Sequence, residues 1–530
     1  MKRFLCLFLV AILALPSLTG CIQPGQAAST PFDALARWVP DDANMVFFLD
    51  LKPTGEMGRH WERIRRRMEA NPAGQEALNA LFGEFRIEEY GLAPVITGPA
   101  VSVQGGIART VVAQVTDEQG VTDLLLEHFI DVSWEQEEYE RHTLYHGRNL
   151  DSWQGRERIA WTVHEGFLFL SYSYDRVVDQ AALTQLRGLL GLDHADSLVA
   201  LPAWRELRDR LPQTPMGLMF FNVAAQTRSS PPAPGDQSLG AALNRQVVAT
   251  ALAAVPEEEG MRVEIAAAVD LQERAPAELR ALFDLPTADP AAWTHLPADT
   301  AFTLVGYDMS VLWPFLEDMF NLDSLALVRE AVGLDMEADL ASAEGPLTGD
   351  FALALTPPLP NQPISQGVPA GQLLILARGT SESQAAHVQA AMEGRGAIFG
   401  PEEVAGVPLQ TQIGTRSTGY AISYGFDGDT YLFGSSPAVI GRAVAARREG
   451  EGMVTTDPFR ATGAALPGDP SLFIYFNPGT LTSLAQANMT AERYQNNLEY
   501  VLFEAFDGIA LGLRLPRDGQ MGGVIYFYVR

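Results

Sequence analysis

The chain has 530 residues, 47% of them hydrophobic, and two cysteines. That length exceeds a single core and reads as folded domains, two being the simplest count. A formal charge of −28 argues against nucleic acid and against broad adsorption to anionic membranes, since like charges repel.

The N-terminus carries an address. Lys2 and Arg3 precede an apolar run from Phe4 to Pro16, and Leu18-Thr19-Gly20-Cys21 follows. The run is shorter than the roughly 20 residues a membrane-crossing helix needs and ends in small residues, so residues 1–20 are expected to be a cleaved signal peptide. Leu18 to Cys21 resembles the lipobox of bacterial lipoproteins, which implies a lipid on Cys21 as the new N-terminus. Ile22 replaces the aspartate of an inner-membrane retention signal, which favours the outer membrane, at its periplasmic face or surface, where the cell has two membranes. Cys6 leaves with the signal, so the mature chain has no thiol for disulfides, catalysis or metal ligation. Residues 21–31 read as a flexible tether.

From residue 32 onwards the chain repeats itself. Val39-Pro-Asp-Asp42 precedes the apolar run Met45 to Leu49, as Leu296-Pro-Ala-Asp299 precedes Phe302 to Val305. Leu211-Pro-Gln-Thr-Pro215 leads into Leu218 to Asn222, as Leu466-Pro-Gly-Asp-Pro470 leads into Phe473 to Asn477. Both pairs lie roughly 256 positions apart, a domain-sized period. Thr116 to Gln119 and Ser381 to Gln384 are predicted capping boxes between a strand and a helix. Trp204-Arg205 matches Phe459-Arg460, and Gly166 matches Gly428 in hairpin turns. Each half closes on a hairpin, Ala251 to Val269 and Ile509 to Val529. The expected fold class is α+β: two tandem homologous domains, 32–275 and 290–530, joined by a linker at 276–289. Each is expected to be a mostly antiparallel sheet with helices packed on one face, to carry its own core and to fold alone. Ser229 to Gly240 and Pro357 to Gly371 read as long loops.

The repeated Leu-Pro cassette, the Phe/Trp-Arg turn and the duplication resemble an uncharacterised family of exported bacterial proteins, a domain of unknown function often found on lipoproteins. The resemblance covers most of residues 37–530. It implies an envelope location and assigns no reaction and no functional residues.

Familiar catalytic patterns do not occur. There is no Gly-x-Ser-x-Gly elbow, no phosphate-binding Gly-Lys-Ser/Thr loop and no His-Glu-x-x-His helix. His142 and His146 lie in a segment that reads as extended, where four residues span about 13 Å and cannot share a metal. Glu135, Glu137, Glu138 and Glu140, and again Glu257 to Glu259, are expected in solvated loops or turns. What recurs between the halves is Pro, Gly, apolar and capping residues, which instruct folding and not chemistry. The chain is therefore expected to be non-enzymatic, without cofactor or metal.

One basic feature remains. Met57, Trp61, Ile64 and Met68 recur at helical spacing, and Arg59, Arg63, Arg66 and Arg67 gather on the opposite side. The patch reads either as a solvated face paired with Glu62 and Glu69, or as a dock for an anionic partner: a lipid headgroup, a phosphorylated glycolipid, or an acidic face of the second half. The leading functional reading is a membrane-anchored envelope protein with a binding or scaffold role toward an envelope protein, polymer or lipid. A carrier or sensor of an apolar ligand, suggested by the aromatic strands Met219 to Phe221 and Phe473 to Phe476, and an unrecognised hydrolase are the alternatives. A large apolar pocket favours the carrier, an exposed patch on a filled sheet the scaffold, and converging carboxylates the enzyme.

Overall fold

The computed structural model describes residues 31–70, 90–105, 108–129, 132–149, 157–173, 180–229, 245–270, 277–320, 335–358, 371–413, 421–466, 470–488, 505–515 and 520–529, with a few positions between 72 and 85 and at 242. The signal segment, Cys21, nearly all of the tether and most of the two long loops lie outside these residues.

The first series of elements is α1 (Pro31–Ala36), β1 (Met45–Asp50), α2 (Gly55–Glu69), β2 (Ile96–Gly105), β3 (Ala108–Val115), α3 (Glu118–His128), β4 (Glu135–Tyr139), β5 (His142–Asn149), β6 (Glu157–His164), β7 (Phe167–Ser173), α4 (Ala181–Leu190), α5 (Pro202–Arg210), β8 (Gly217–Phe221), α6 (Val223–Ser229), β9 (Val247–Glu257) and β10 (Gly260–Val269). The second is α7 (Ala277–Phe283), β11 (Phe302–Tyr307), α8 (Met309–Phe320), β12 (Asp350–Thr356), β13 (Gln372–Arg378), α9 (Glu382–Gly394), β14 (Phe399–Val404), β15 (Val407–Gln412), β16 (Ser423–Asp427), β17 (Thr430–Gly434), α10 (Pro437–Glu449), α11 (Asp457–Ala465), β18 (Leu472–Phe476), α12 (Pro478–Asn488), β19 (Gly508–Arg514) and β20 (Gln520–Tyr528).

All these strands join one antiparallel sheet. Its order is β4-β5-β6-β7-β3-β2-β1-β8-β9-β10 followed by β20-β19-β18-β11-β12-β13-β17-β16-β15-β14. Read from each outer edge inwards, the two halves have the same strand order. They meet at β10 and β20, which pair from Gly260 opposite Tyr528 to Ala268 opposite Gln520.

Burial on both faces explains why the inner strands are almost continuously apolar, without the alternation of a half-wet sheet. In β1, Val46 and Phe48 enter a cluster with Leu35 of α1, Leu186 of α4 and Trp204 of α5. This is the expected helical layer, and in the second half α10 and α11 supply it through Val439, Ile440, Val444 and Phe459. The next side chain along, Leu49, enters a second cluster with Trp61, Ile64 and Met68 of α2 and Val121 and Leu125 of α3. Further helices therefore pack on the opposite face.

On that opposite face the two units are not separated. One cluster gathers Phe221, Val247, Leu252 and Ile265 of the first series with Leu304, Leu312, Ile474, Leu511, Met521 and Ile525 of the second. Leu279, Leu282 and Phe283 of α7, inside the expected linker, are buried in the same cluster. The linker is thus partly core.

Local predictions can be compared residue by residue. Both closing hairpins form, and the turn glycines Gly166 and Gly428 have φ of 75° and 67°, where L side chains are strained. Ser381 makes the full capping box with Gln384. At the other predicted box the cap moves by one residue: Asp117, not Thr116, accepts from the Gly120 amide at 2.8 Å. A carboxylate is the stronger acceptor and also favours the positive end of the helix dipole. The glutamate cluster at 135–138 lies not in a loop but on β4, an outer edge of the sheet. Its polarity concealed the strand, yet suits an edge, where charge hinders pairing with another chain. At the other edge β14 carries Pro401, Glu402 and Glu403.

Candidate binding site

Helix α2 organises the site. Thr54 is its extended N-cap residue, Glu56 sits in its first turn and Arg66 and Arg67 in its last, so the charges oppose the helix dipole at both ends. Trp61, Ile64 and Met68 are buried, and Met57 packs beside them. The apolar stripe fixes the rotation of the helix, and Arg59, Arg63, Arg66 and Arg67 are all exposed.

The structure divides these four arginines into two pairs. Arg59 reaches Glu56 at 3.4 Å and Arg66 reaches Glu62 at 2.8 Å, both within the helix. Arg65 bridges Glu62 and Glu69. Hydrogen bonds from Arg66 and then Arg65 hold the Glu62 carboxyl below its ordinary range. Arg63 and Arg67, one turn apart, line a cleft instead. Arg63 Nη1 donates to the Glu258 carbonyl at 2.6 Å, while among the described residues the Arg67 side chain has no partner.

That cleft has a volume of about 630 Å³ and is open to solvent. It lies at the rim of the sheet, where the β9–β10 hairpin turns and β20 ends. The remaining walls are Glu258 and Glu259 of the turn, Asp457, Arg460 and Ala461 of α11, and Tyr528 and Val529. Helices α2 and α11 pack on opposite faces and both reach this rim. Phe47, which packs with the α2 cluster, is paired to Met219, which packs against the cross-seam cluster; α11 belongs to the other side through Phe459.

Two details hold the rim together. Val529 N donates to the Glu259 carbonyl at 2.8 Å. Gly260 permits the close approach, because a Cβ there would lie 2.1 Å from the Phe527 carbonyl oxygen. Arg460 is aimed by its neighbour: the Phe459 ring packs edge-on against Phe473 and Tyr475, as Trp204 packs against Phe48 and Phe220. The matched arginines differ. Arg205 Nε donates to the Val199 carbonyl at 2.8 Å, whereas the Arg460 side chain has no partner among the described residues.

The sequence therefore exposes half of this cleft. It places Arg63 and Arg67 on one helix but gives Arg460 only as a turn residue, and nothing in composition joins α11 to α2. The Phe459-Arg460 cassette was the available signal.

Other candidates resolve into structure. His142 and His146 lie on β5, and the His142 ring packs 4.2 Å from that of His164. Among the described residues no group of histidine, aspartate and glutamate side chains is placed to hold a metal ion. The aromatic strands that suggested an apolar carrier are packed: Phe220, Phe473 and Tyr475 are each at most 1% exposed.

A family model described as "Protein of unknown function (DUF3352)" matches residues 123–516. Among solved structures, crystal form III of TP0453 aligns at 8% identity over 51% of this chain and 89% of that one, with a TM-score of 0.25. Crystal form I of TP0453 aligns at 9% identity over 47% and 82%, also with a TM-score of 0.25. Similarity of that size relates neither fold nor function. No curated protein matches the chain.

Proposed function

The chain belongs to the DUF3352 family of proteins of unknown function, and on that premise we propose that it is a non-enzymatic envelope lipoprotein, held to a membrane by lipid on Cys21, whose role is to bind another envelope component. The observation that carries the binding role is the arginine-lined cleft. The net charge of −28 repels anions at long range, and here guanidinium groups from α2 and α11 converge, with the Arg67 and Arg460 side chains unpartnered among the described residues. Planar guanidinium forks suit phosphate and carboxylate because they can engage two oxygens at once.

The lipid anchor rests on the order of Lys2-Arg3, the apolar run and Leu18 to Cys21. It predicts that Cys21→Ala leaves the protein unprocessed or releases it from the membrane fraction. Two tandem copies, 32–275 and 290–530, are supported by the recurring cassettes and by the identical strand order of the halves. For the binding role, the test is salt-sensitive association with anionic vesicles or purified envelope polymer. Replacing Arg59, Arg63, Arg66 and Arg67 by glutamine should preserve folding and weaken that association. If the unaltered protein shows none at low ionic strength, the patch is only surface.

A further inference from the structure

We propose that the rim cleft receives a zwitterion: a ligand carrying a phosphate and, a few bonds away, a protonated amine. This rests on the binding reading above and gives it a chemistry.

The reasoning begins with which charges are satisfied. Along α2, Arg59, Arg65 and Arg66 all close ion pairs with glutamates of their own helix. Arg63 and Arg67 do not. Arg63 is anchored through Nη1 to the Glu258 carbonyl, which leaves the rest of its fork free to serve the cleft. Arg67 and Arg460 have no side-chain partner among the described residues, although Glu258, Glu259 and Asp457 line the same cleft. Nor do the side chains of Glu258 and Glu259 accept a hydrogen bond among the described residues.

The cleft thus offers guanidinium groups from two helices and, at the hairpin turn, the carboxylates of Glu258 and Glu259. A bare phosphate would gain the arginines but face the carboxylates of Glu258 and Glu259; a bare amine would meet the converse. A ligand bearing both signs satisfies both sets best, and recognition by complementary charge favours it over ligands of either single sign. The phosphate would lie between α2 and α11, and the amine over Glu258 and Glu259. At about 630 Å³ and open to solvent, the cleft has room for such a group and a path by which a longer molecule could leave it. The same chemistry occurs in a soluble phosphoamine and in the headgroup of an aminophospholipid.

The test uses the full chain and three probes: O-phosphoethanolamine, inorganic phosphate and ethanolamine, titrated calorimetrically at low ionic strength. O-phosphoethanolamine should bind at least about tenfold more tightly than either other probe, the scale expected for charge-assisted hydrogen bonds. Combining Arg67→Gln with Arg460→Gln should weaken it about tenfold or more. Combining Glu258→Gln with Glu259→Gln should abolish the preference over inorganic phosphate. The pair Arg59→Gln and Arg66→Gln, outside the cleft, should change nothing. Flotation with phosphatidylethanolamine vesicles, against phosphatidylcholine vesicles lacking N–H donors, assigns the source: retention by the former points to a membrane headgroup, and binding of the free compound alone points to a soluble ligand. Equal affinity for phosphate and O-phosphoethanolamine, no binding of either, or equal damage from the Arg59 and Arg66 pair overturns the proposal. If it fails while salt-sensitive association with an envelope component persists, the zwitterion falls and the broader binding role stands.

Discussion

Arg141 occupies a backbone position that suits glycine. With Glu140 it forms the turn between β4 and β5, and the two residues have φ of 74° and 48°. The corresponding turn between β14 and β15 places Gly406 there, at φ 73°. A non-glycine residue in this region costs about 1–2 kcal/mol, partly offset because glycine has more freedom to lose on folding. Arg141→Gly should therefore raise unfolding free energy by about 1 kcal/mol in denaturant titration, and an unchanged midpoint would mean the turn is not strained. A second residue-scale effect depends on pH. His295 is 2% exposed, and its Nε2 lies 3.2 Å from Asp427 Oδ2, which Arg447 also holds at 2.9 Å. Burial pushes the His295 imidazole below its ordinary value, with the Asp427 hydrogen bond working against the shift. Because its folded value is depressed, the contribution of neutral His295 is complete above about pH 6.5 and is lost as pH falls through the lowered value. Asp427 acts in a separate, more acidic window: burial opposes its ionisation, but hydrogen bonds from Arg447 and His295 keep its carboxyl below the ordinary range. Stability should decline as pH falls below about 6.5, and His295→Gln should flatten that slope whatever it does at pH 8. An equal slope in both proteins would assign the decline to other groups.

The outermost strands β4 and β14 determine whether this sheet ends. Among the described residues neither has a paired strand on its outer flank, and each is rich in glutamate, with Pro401 removing one donor from β14. Replacing Pro401, Glu402 and Glu403 together by valine should leave the core untouched but promote concentration-dependent association, visible by light scattering. A variant that stays monomeric would show that charge and proline are not what protects this edge. The same contrast explains what could be read in advance. Inner strands such as Met45 to Leu49 and Phe473 to Phe476 were legible because burial on both faces demands unbroken apolar runs. Strand β4 was not, because an edge needs polarity and polarity also marks loops. Helix α2 was legible because Trp61, Ile64 and Met68 must face a core, which placed its arginines outside. Their division into Arg59 and Arg66, paired on their own helix, and Arg63 and Arg67, facing the cleft, depends on where the β9–β10 turn falls. Arg460 joins them only through the long-range pairing of β20, which leaves no periodicity in the chain.

Pairing between β10 and β20 also decides how independent the halves are. Recurring cassettes predict two self-sufficient cores, yet Phe221, Leu252 and Ile265 share a cluster with Met521 and Ile525. Arg210 of α5 donates to the Ala267 carbonyl at 3.0 Å and to the Met521 carbonyl at 3.1 Å, so it spans the seam. Residues 290–530 expressed alone would thus present a bare β20 edge beside exposed apolar side chains, a template for another strand. The most suitable strand is a second copy of β20. In the intact chain β10 and β20 run antiparallel with Glu264 opposite Val524, and halves of equal strand order are thereby placed about an approximate two-fold axis. Substituting a second β20 for β10 makes that axis exact, with Val524 opposite Val524 and Gly522 and Gly523 offering no bulk against close approach. It also omits the half-buried charges of Arg262 and Glu264, which exist only on β10. The isolated second half should therefore sediment as a symmetric dimer, and Val524→Lys, which sets two ammonium groups against each other at the axis, should convert it to a monomer of lower stability. A wild-type fragment that is monomeric and unfolds cooperatively would show instead that each core is complete and the seam merely joins them.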